Sequence, residues 1–306
     1  MKILIPIDAS ENSPCSAELL KRIPLPATCE VTILTVVETD AYHERAIAHT
    51  EKKAAAEVRD ELRTEAGRLL EQEAERLKDT SWEVTTELRE GDPAQQIIDV
   101  AKETNVDLIA VGSRGLSRFK RFLLGSVSSN VAKYAHCSVL IVPPSGEKPA
   151  VKKADTDREL PKAVRLRILV AFDGSDPTQS AVATLASLPI GDQADVRLVT
   201  VLPLIRYYRM DVQQRLSESW RRQKAEAKRS LDNAAEKIRC ATPNVATRTR
   251  EGQDISDEIL TEADEWAADL IVIGHRSMSK IERILMGSVA SRVVHHARCS
   301  VWMVRS

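Results

Sequence analysis

The stretch from Gly112 to Ser126 reads GSRGLSRFKRFLLGS, which sets Gly112, Gly115 and Gly125 in the spacing G-x2-G-x9-G-S. Only 11 glycines occur in the chain, and five of them lie in this stretch and in a second one like it. Glycine lets the backbone approach a ligand closely and take positive φ. A helix opening at Ser126 adds unused N–H groups and the positive end of its dipole. Together these features suit a phosphate cradle; the other reading of the spacing is a tight turn after a strand. The hydroxyls of Ser126 and Ser128 can add donors, and Arg114, Arg118, Lys120 and Arg121 add positive charge. The second stretch, Gly274 to Ser288, reads GHRSMSKIERILMGS. It keeps Gly274, Gly287 and Ser288 but has Ser277 where a glycine is expected, and it retains Arg276, Lys280 and Arg283. Serine takes positive φ less readily, so the second cradle is expected to be the weaker. His275 lies within it and is the one histidine expected near phosphate. Asp8 and Asp173 each close a run of apolar residues. Both would face the same crevice, and because a carboxylate repels phosphate and accepts hydrogen bonds from a base or ribose, Asp8 is put at the base end of such a site. The other reading of Asp8 is a turn former or helix cap.

The elements that must position these residues are written twice. KILIPID at Lys2–Asp8 corresponds to RILVAFD at Arg167–Asp173, and VDLIAVG at Val106–Gly112 to ADLIVIG at Ala268–Gly274. CSVLIV from Cys137 corresponds to CSVWMV from Cys299, and REG recurs at Arg89–Gly91 and Arg250–Gly252. Collinear similarity at about half the chain length means duplication of a whole domain, not a short-repeat array. The domains are expected at 1–143 and 166–306, joined by a Pro-, Lys- and Asp-rich linker at 144–165. Short β-branched runs predict strands at Lys2–Ile7, Glu30–Val37, Trp82–Leu88, Asp107–Val111 and Ser138–Val142. Helices are expected at about Ser13–Arg22, Glu44–Lys78, Pro93–Glu103 and Ser126–Tyr134, with Asp92 as a cap. In the second half, strands are expected at Arg167–Phe172, Asp195–Leu202, Val245–Arg250, Asp269–Ile273 and Ser300–Val304, with a long charged helix over Asp211–Arg239. Alternation of this kind predicts an α/β fold: two tandem doubly wound, Rossmann-like parallel sheets with helices on both faces. In such sheets ligands lie beyond the carboxyl ends of the strands.

Composition excludes several classes. The 44 basic and 45 acidic residues leave a net charge of −1, which gives no general attraction to nucleic acid or to acidic lipid. Aromatic residues at 4% are too few to build a stacking platform for single strands. Five cysteines without any C-x-x-C pair argue against a disulfide framework or a structural zinc, and for a reducing, cytoplasmic setting. Cys137 and Cys299 read as small core residues. No apolar run approaches the ~20 residues of a membrane span, and the amino terminus reads as a first strand. No G-x4-G-K-[ST] loop and no G-x-S-x-G elbow occurs, and no acid, base and nucleophile stand together. No catalytic residue is assigned, although slow hydrolysis of a bound nucleotide is left open.

With the Asp-x-Ser after the opening strand, the G-x2-G-x9-G-S loop and the closing AHCSVLIV of Ala135–Val142, the chain resembles a tandem-domain universal stress protein. The resemblance implies five strands in the order 3-2-1-4-5 in each half. It also implies an intrachain pseudo-dimer through the last strands, with homodimerisation of the whole chain left open. The implied ligand is ATP, with Mg²⁺ only as the companion of its phosphates. The residues implied to hold it are Pro6, Ile7, Asp8, Val36, Val111, Gly112, Gly115, Gly125, Ser126, Val127 and Ser128. Their counterparts in the second half are Asp173, Val201, Gly274, Ser277, Gly287, Ser288 and Val289, where Ala171 replaces the proline. The implied function is stress response through ligand-dependent conformation or contact with an unknown protein partner. The alternatives are a nucleotide-free interaction scaffold and a weak ATPase.

Overall fold

The computed structural model of the chain describes residues 1–9, 14–38, 52–113, 124–144, 165–204, 210–275 and 287–305. They form two compact units, Met1–Gly146 and Glu147–Ser306. Unit 1 runs β1 (Lys2–Ile7), α1 (Pro14–Arg22), β2 (Glu30–Glu38), α2 (Lys52–Arg76), β3 (Glu83–Gly91), α3 (Pro93–Thr104), β4 (Leu108–Gly112), α4 (Ser126–Tyr134) and β5 (Ser138–Val142). Unit 2 repeats the plan with β6 (Leu166–Ala171), α5 (Asp176–Ala186), β7 (Ala194–Pro203), α6 (Met210–Arg239), β8 (Val245–Gly252), α7 (Ile255–Glu265), β9 (Leu270–His275), α8 (Ser288–His296) and β10 (Ser300–Arg305). The strand order within the first unit is β3-β2-β1-β4-β5, and within the second β8-β7-β6-β9-β10. The ladders within each unit are parallel. This is the doubly wound α/β fold that the alternation predicts.

Helices on both faces explain why the central strands are apolar throughout. Ile3, Leu4 and Ile5 of β1 are at most 1% exposed, although successive side chains point to opposite faces. Two ion pairs identify the faces of the first sheet. Arg63 of α2 meets Glu90 at 2.6 Å, and Arg89 meets Glu103 of α3 at 2.6 Å. Glu90 pairs with Val37 and Arg89 with Val36, so Thr35 and Val37 look toward α2 while Val36 looks toward α3. In unit 2, Lys224 of α6 holds Glu251, and Arg250 holds Glu258 of α7. The two copies thus share one face assignment.

The strands run one to three residues beyond the expected ends where a partner continues the ladder. β3 reaches Gly91 opposite Glu38, and β9 reaches His275 opposite Arg305. Gly91 ends its strand at φ +131°, a conformation that favours glycine, and Asp92 then caps α3 by accepting from the Gln95 N–H at 2.8 Å. The long helix α2 buries the stripe Ala66, Leu70 and Glu73, which Leu77 just past its end continues, a spacing that keeps one face on the sheet. The expected stretch of that helix before Lys52 lies outside the described residues. Among the described residues, no helix is long and apolar enough to cross a membrane.

Candidate functional site

Register brings three of the expected residues in unit 1 onto one surface. Pro6 pairs with Leu34, and Leu4 with Ile109, so Pro6, Val36 and Val111 share the face that α3 covers. α3 and α4 pack together on that face. Ile7 points the other way and is buried, so its side chain belongs to the α1–α2 layer. Asp8 follows β1 directly and is half-buried.

The carboxyl end of β4 is stitched to the start of α4. The Ser113 N–H donates to the Val142 carbonyl at 2.7 Å, and the Gly125 N–H donates to the Ser113 carbonyl at 2.8 Å. The Ser128 hydroxyl donates to the Gly112 carbonyl at 2.6 Å and is 3% exposed. This corrects one expectation. The donor of that hydroxyl is committed inward, which leaves the backbone N–H of Ser128 as its group for an anion. Ser126 is exposed and Val127 partly so. The first turn-closing bond runs from the Ser129 N–H to the Gly125 carbonyl at 2.9 Å, so the N–H groups of Ser126, Val127 and Ser128 precede the helical ladder. Gly125 brings no side chain to cap them, and no acidic residue stands in the first turn. The helices after β3 and β8 are built differently. There Asp92 and Asp254 supply the capping carboxylate from the chain itself, and the Asp257 and Ser256 donors hold the Asp254 carboxyl below its ordinary pKa. Gly115 and the loop cations Arg114, Arg118, Lys120 and Arg121 lie outside the described residues.

In unit 2 the corresponding face carries Ala171, Val201 and Ile273. Asp173 takes the turn-forming role that the sequence left as an alternative for its counterpart Asp8. Its Oδ1 accepts from the Ser175 N–H at 2.9 Å, the Ser175 hydroxyl at 2.5 Å and the Thr178 hydroxyl at 2.9 Å. Gly274 also has a reason of its own. A Cβ there would stand 2.4 Å from the Pro177 carbonyl carbon and 2.6 Å from the Thr178 nitrogen, so the close neighbour is the backbone of α5. Gly287 is the opposite case. Its φ is −55°, which any residue adopts, and an added Cβ meets no described atom within 4 Å. Ser288 and Val289 follow it in the first turn of α8, again without a side-chain cap or an acid. His275, expected within the loop, is the last residue of β9, because the ladder to β10 continues through Arg305. It is 5% exposed, with its Nε2 3.5 Å from the Arg305 guanidinium. Ser277, Arg276, Lys280 and Arg283 lie outside the described residues. Among the described residues, no three His, Cys, Asp or Glu side chains stand together as metal ligands.

Fold and site together define a class: a doubly wound α/β domain, present twice, whose fourth strand leads into a glycine-opened, uncapped helix at the carboxyl edge of the sheet. Within that class the chain belongs to the Universal stress protein family, whose profile matches residues 1–143 and 165–305. Universal stress protein YxiE of Bacillus subtilis is 34% identical over 146 residues, covering 46% of this chain and 97% of the relative. Universal stress protein Rv2623 of Mycobacterium tuberculosis is 29% identical over 210 residues, covering 68% of this chain and 64% of its own length. The crystal structure of a universal stress protein from Archaeoglobus fulgidus matches 99% of this chain and 98% of its own, with a TM-score of 0.54 at 22% identity, which supports the fold alone.

Proposed function

We propose that this chain is an adenine-nucleotide-binding universal stress protein that takes ATP in its amino-terminal half and acts in the cytoplasm through ligand-dependent conformation or contact with a protein partner. The observation that carries this reading is the Gly125 end of α4: no cap, no acid in the first turn, and a packing partner on the same face as Pro6, Val36 and Val111. The N–H groups of Ser126, Val127 and Ser128 suit the phosphates. The apolar strand ends suit a purine face, and Asp8 suits the base or ribose edge. Magnesium, when present, is held by the phosphates and water rather than by a protein cage.

The same reading assigns the carboxy-terminal half a lesser role in nucleotide binding. Asp173 Oδ1 is occupied by three local donors, and Ala171 stands where the first half has Pro6. The test is to denature the purified chain, resolve the released nucleotide by ion exchange, and titrate the nucleotide-free protein with ATP, AMP and adenosine by calorimetry. One adenine nucleotide per chain is expected. Gly125→Asp places a carboxylate where the phosphates would sit while supplying a favoured cap. It is expected to abolish ATP binding and leave the melting temperature unchanged or higher. No released nucleotide together with flat titrations overturns the reading.

A further inference from the structure

The duplication supplies an internal control for buried carboxylates, and among the described residues each half departs from its sister at one of them. On the buried stripe of α2 stands Glu73, 4% exposed; its counterpart on α6 is Ala234, 1% exposed. On α7 stands Glu262, 2% exposed; its counterpart on α3 is Val100, fully buried. Among the described residues, each half therefore holds one interior carboxylate that its sister shows the fold does not require.

The two carboxylates have opposite surroundings. Among the described residues Glu73 Oε1 has no hydrogen-bond partner, and Oε2 lies 3.3 Å from the Nε of Arg76, a half-exposed cation. The other charges facing it are Glu18 and Lys21 of α1, already paired with each other at 3.0 Å. On the sheet beneath α2, Val31, Ile33, Val84 and Thr86 are uncharged, and Glu90 is held by Arg63. Burial raises the Glu73 pKa, and Arg76 only partly opposes it. Glu262 accepts from Arg197 of β7 at 2.8 Å and from Arg250 of β8 at 2.8 Å, with Arg248 at 4.0 Å. Arg250 also binds Glu258 and Glu265 of α7, and Arg197 lies 4.4 Å over the Trp266 ring. Burial alone would raise the Glu262 pKa, but the Arg250 and Arg197 hydrogen bonds outweigh it and hold the carboxyl below its ordinary value.

We infer that the two halves are a proton-linked pair of opposite sign: acidification strengthens the amino-terminal half through Glu73 and weakens the carboxy-terminal half through Glu262. A buried carboxylate with one unpartnered oxygen and a single half-exposed cation prefers its neutral form, whereas one held by two guanidinium groups stays ionised. For Glu73 the folded pKa lies above the unfolded one. Its contribution is complete below the ordinary carboxylate pKa of about 4.3 and is lost as pH rises through the elevated folded value. For Glu262 the folded pKa lies below the unfolded one. Its contribution is complete above about pH 4.3 and is lost as pH falls through the depressed value. Mild acid therefore favours the first half, and stronger acid opens the second half first.

The test is hydrogen exchange of the intact chain, read peptide by peptide and corrected for intrinsic rates, from about pH 7.5 to about pH 3. Protection of the strands in unit 1 is expected to rise roughly tenfold per unit of Glu73 pKa displacement as pH falls toward the carboxylate range. Protection in unit 2 is expected to hold and then fall. Glu73→Ala, which copies the sister residue, is expected to raise unit 1 protection at neutral pH and flatten its pH profile. Glu262→Gln is expected to lower unit 2 protection about tenfold or more at neutral pH and leave unit 1 unchanged. The inference is overturned if both halves move in the same direction, if they open in one common step, or if Glu73→Ala leaves the unit 1 profile unaltered. None of these readouts requires a bound nucleotide.

Discussion

At the scale of single residues, the two copies show that one sequence position can be held for different reasons. Gly274 is required by contact with the Pro177 backbone, while Gly287 is required by nothing in the described protein. Gly274→Ala is therefore expected to destabilise the chain by about 2 kcal/mol, read from the urea midpoint, because backbone must move to admit the methyl group. Ser128→Ala removes the bond to the Gly112 carbonyl and is expected to cost about 1 kcal/mol in the same measurement. The variant should fold, because Ala290 occupies the matching place in α8. Thiol chemistry gives a further check. Cys240 is exposed, whereas burial pushes the Cys299 thiol up to about 12 and raises that of Cys29. Alkylation of the native chain at neutral pH, read by mass spectrometry, should label Cys240 first. Rapid labelling of Cys299 would contradict its raised thiol pKa.

At the scale of elements, α3 and α7 end alike although their sequences differ. In each, a residue beyond the helix turns left-handed, Asn105 at φ 57° and Ala267 at φ 51°. The N–H of the following residue reaches five residues back, Val106 to Ala101 at 3.1 Å and Ala268 to Ala263 at 2.8 Å. Asparagine takes this conformation at less cost than alanine, so Ala267→Gly is expected to stabilise unit 2 by about 1 kcal/mol in a denaturant melt. The long helix α2 carries a different lesson. Its stripe is covered from Ala66 to Leu77, while Val58 and Leu62 are 51% and 44% exposed. The second copy has Ser219 and Gln223 at the matching positions, so Val58→Ser and Leu62→Gln should each change stability by less than about 0.5 kcal/mol in the same melt.

At the scale of the whole chain, duplication lets the two halves diverge at the first strand's end, Pro6 against Ala171, and in buried charge while keeping one fold. A stoichiometry of one nucleotide per chain is the expected outcome, and two would show that Asp173 can serve both its turn and a ligand. The sequence by itself determined the duplication, the α/β class and the glycine-opened helices. These depend on local periodicity, on β-branched runs and on residues with special backbone freedom, all of which are written along the chain. Only the tertiary structure decided that Pro6, Val36 and Val111 share a face, that the Ser128 hydroxyl turns inward, that Asp173 closes its own turn, and that Glu73 and Glu262 sit in the interior. Those facts depend on register and on packing between segments far apart in sequence. A glutamate in a charged helix reads the same whether its side chain meets water, a lone arginine or two guanidinium groups across a strand.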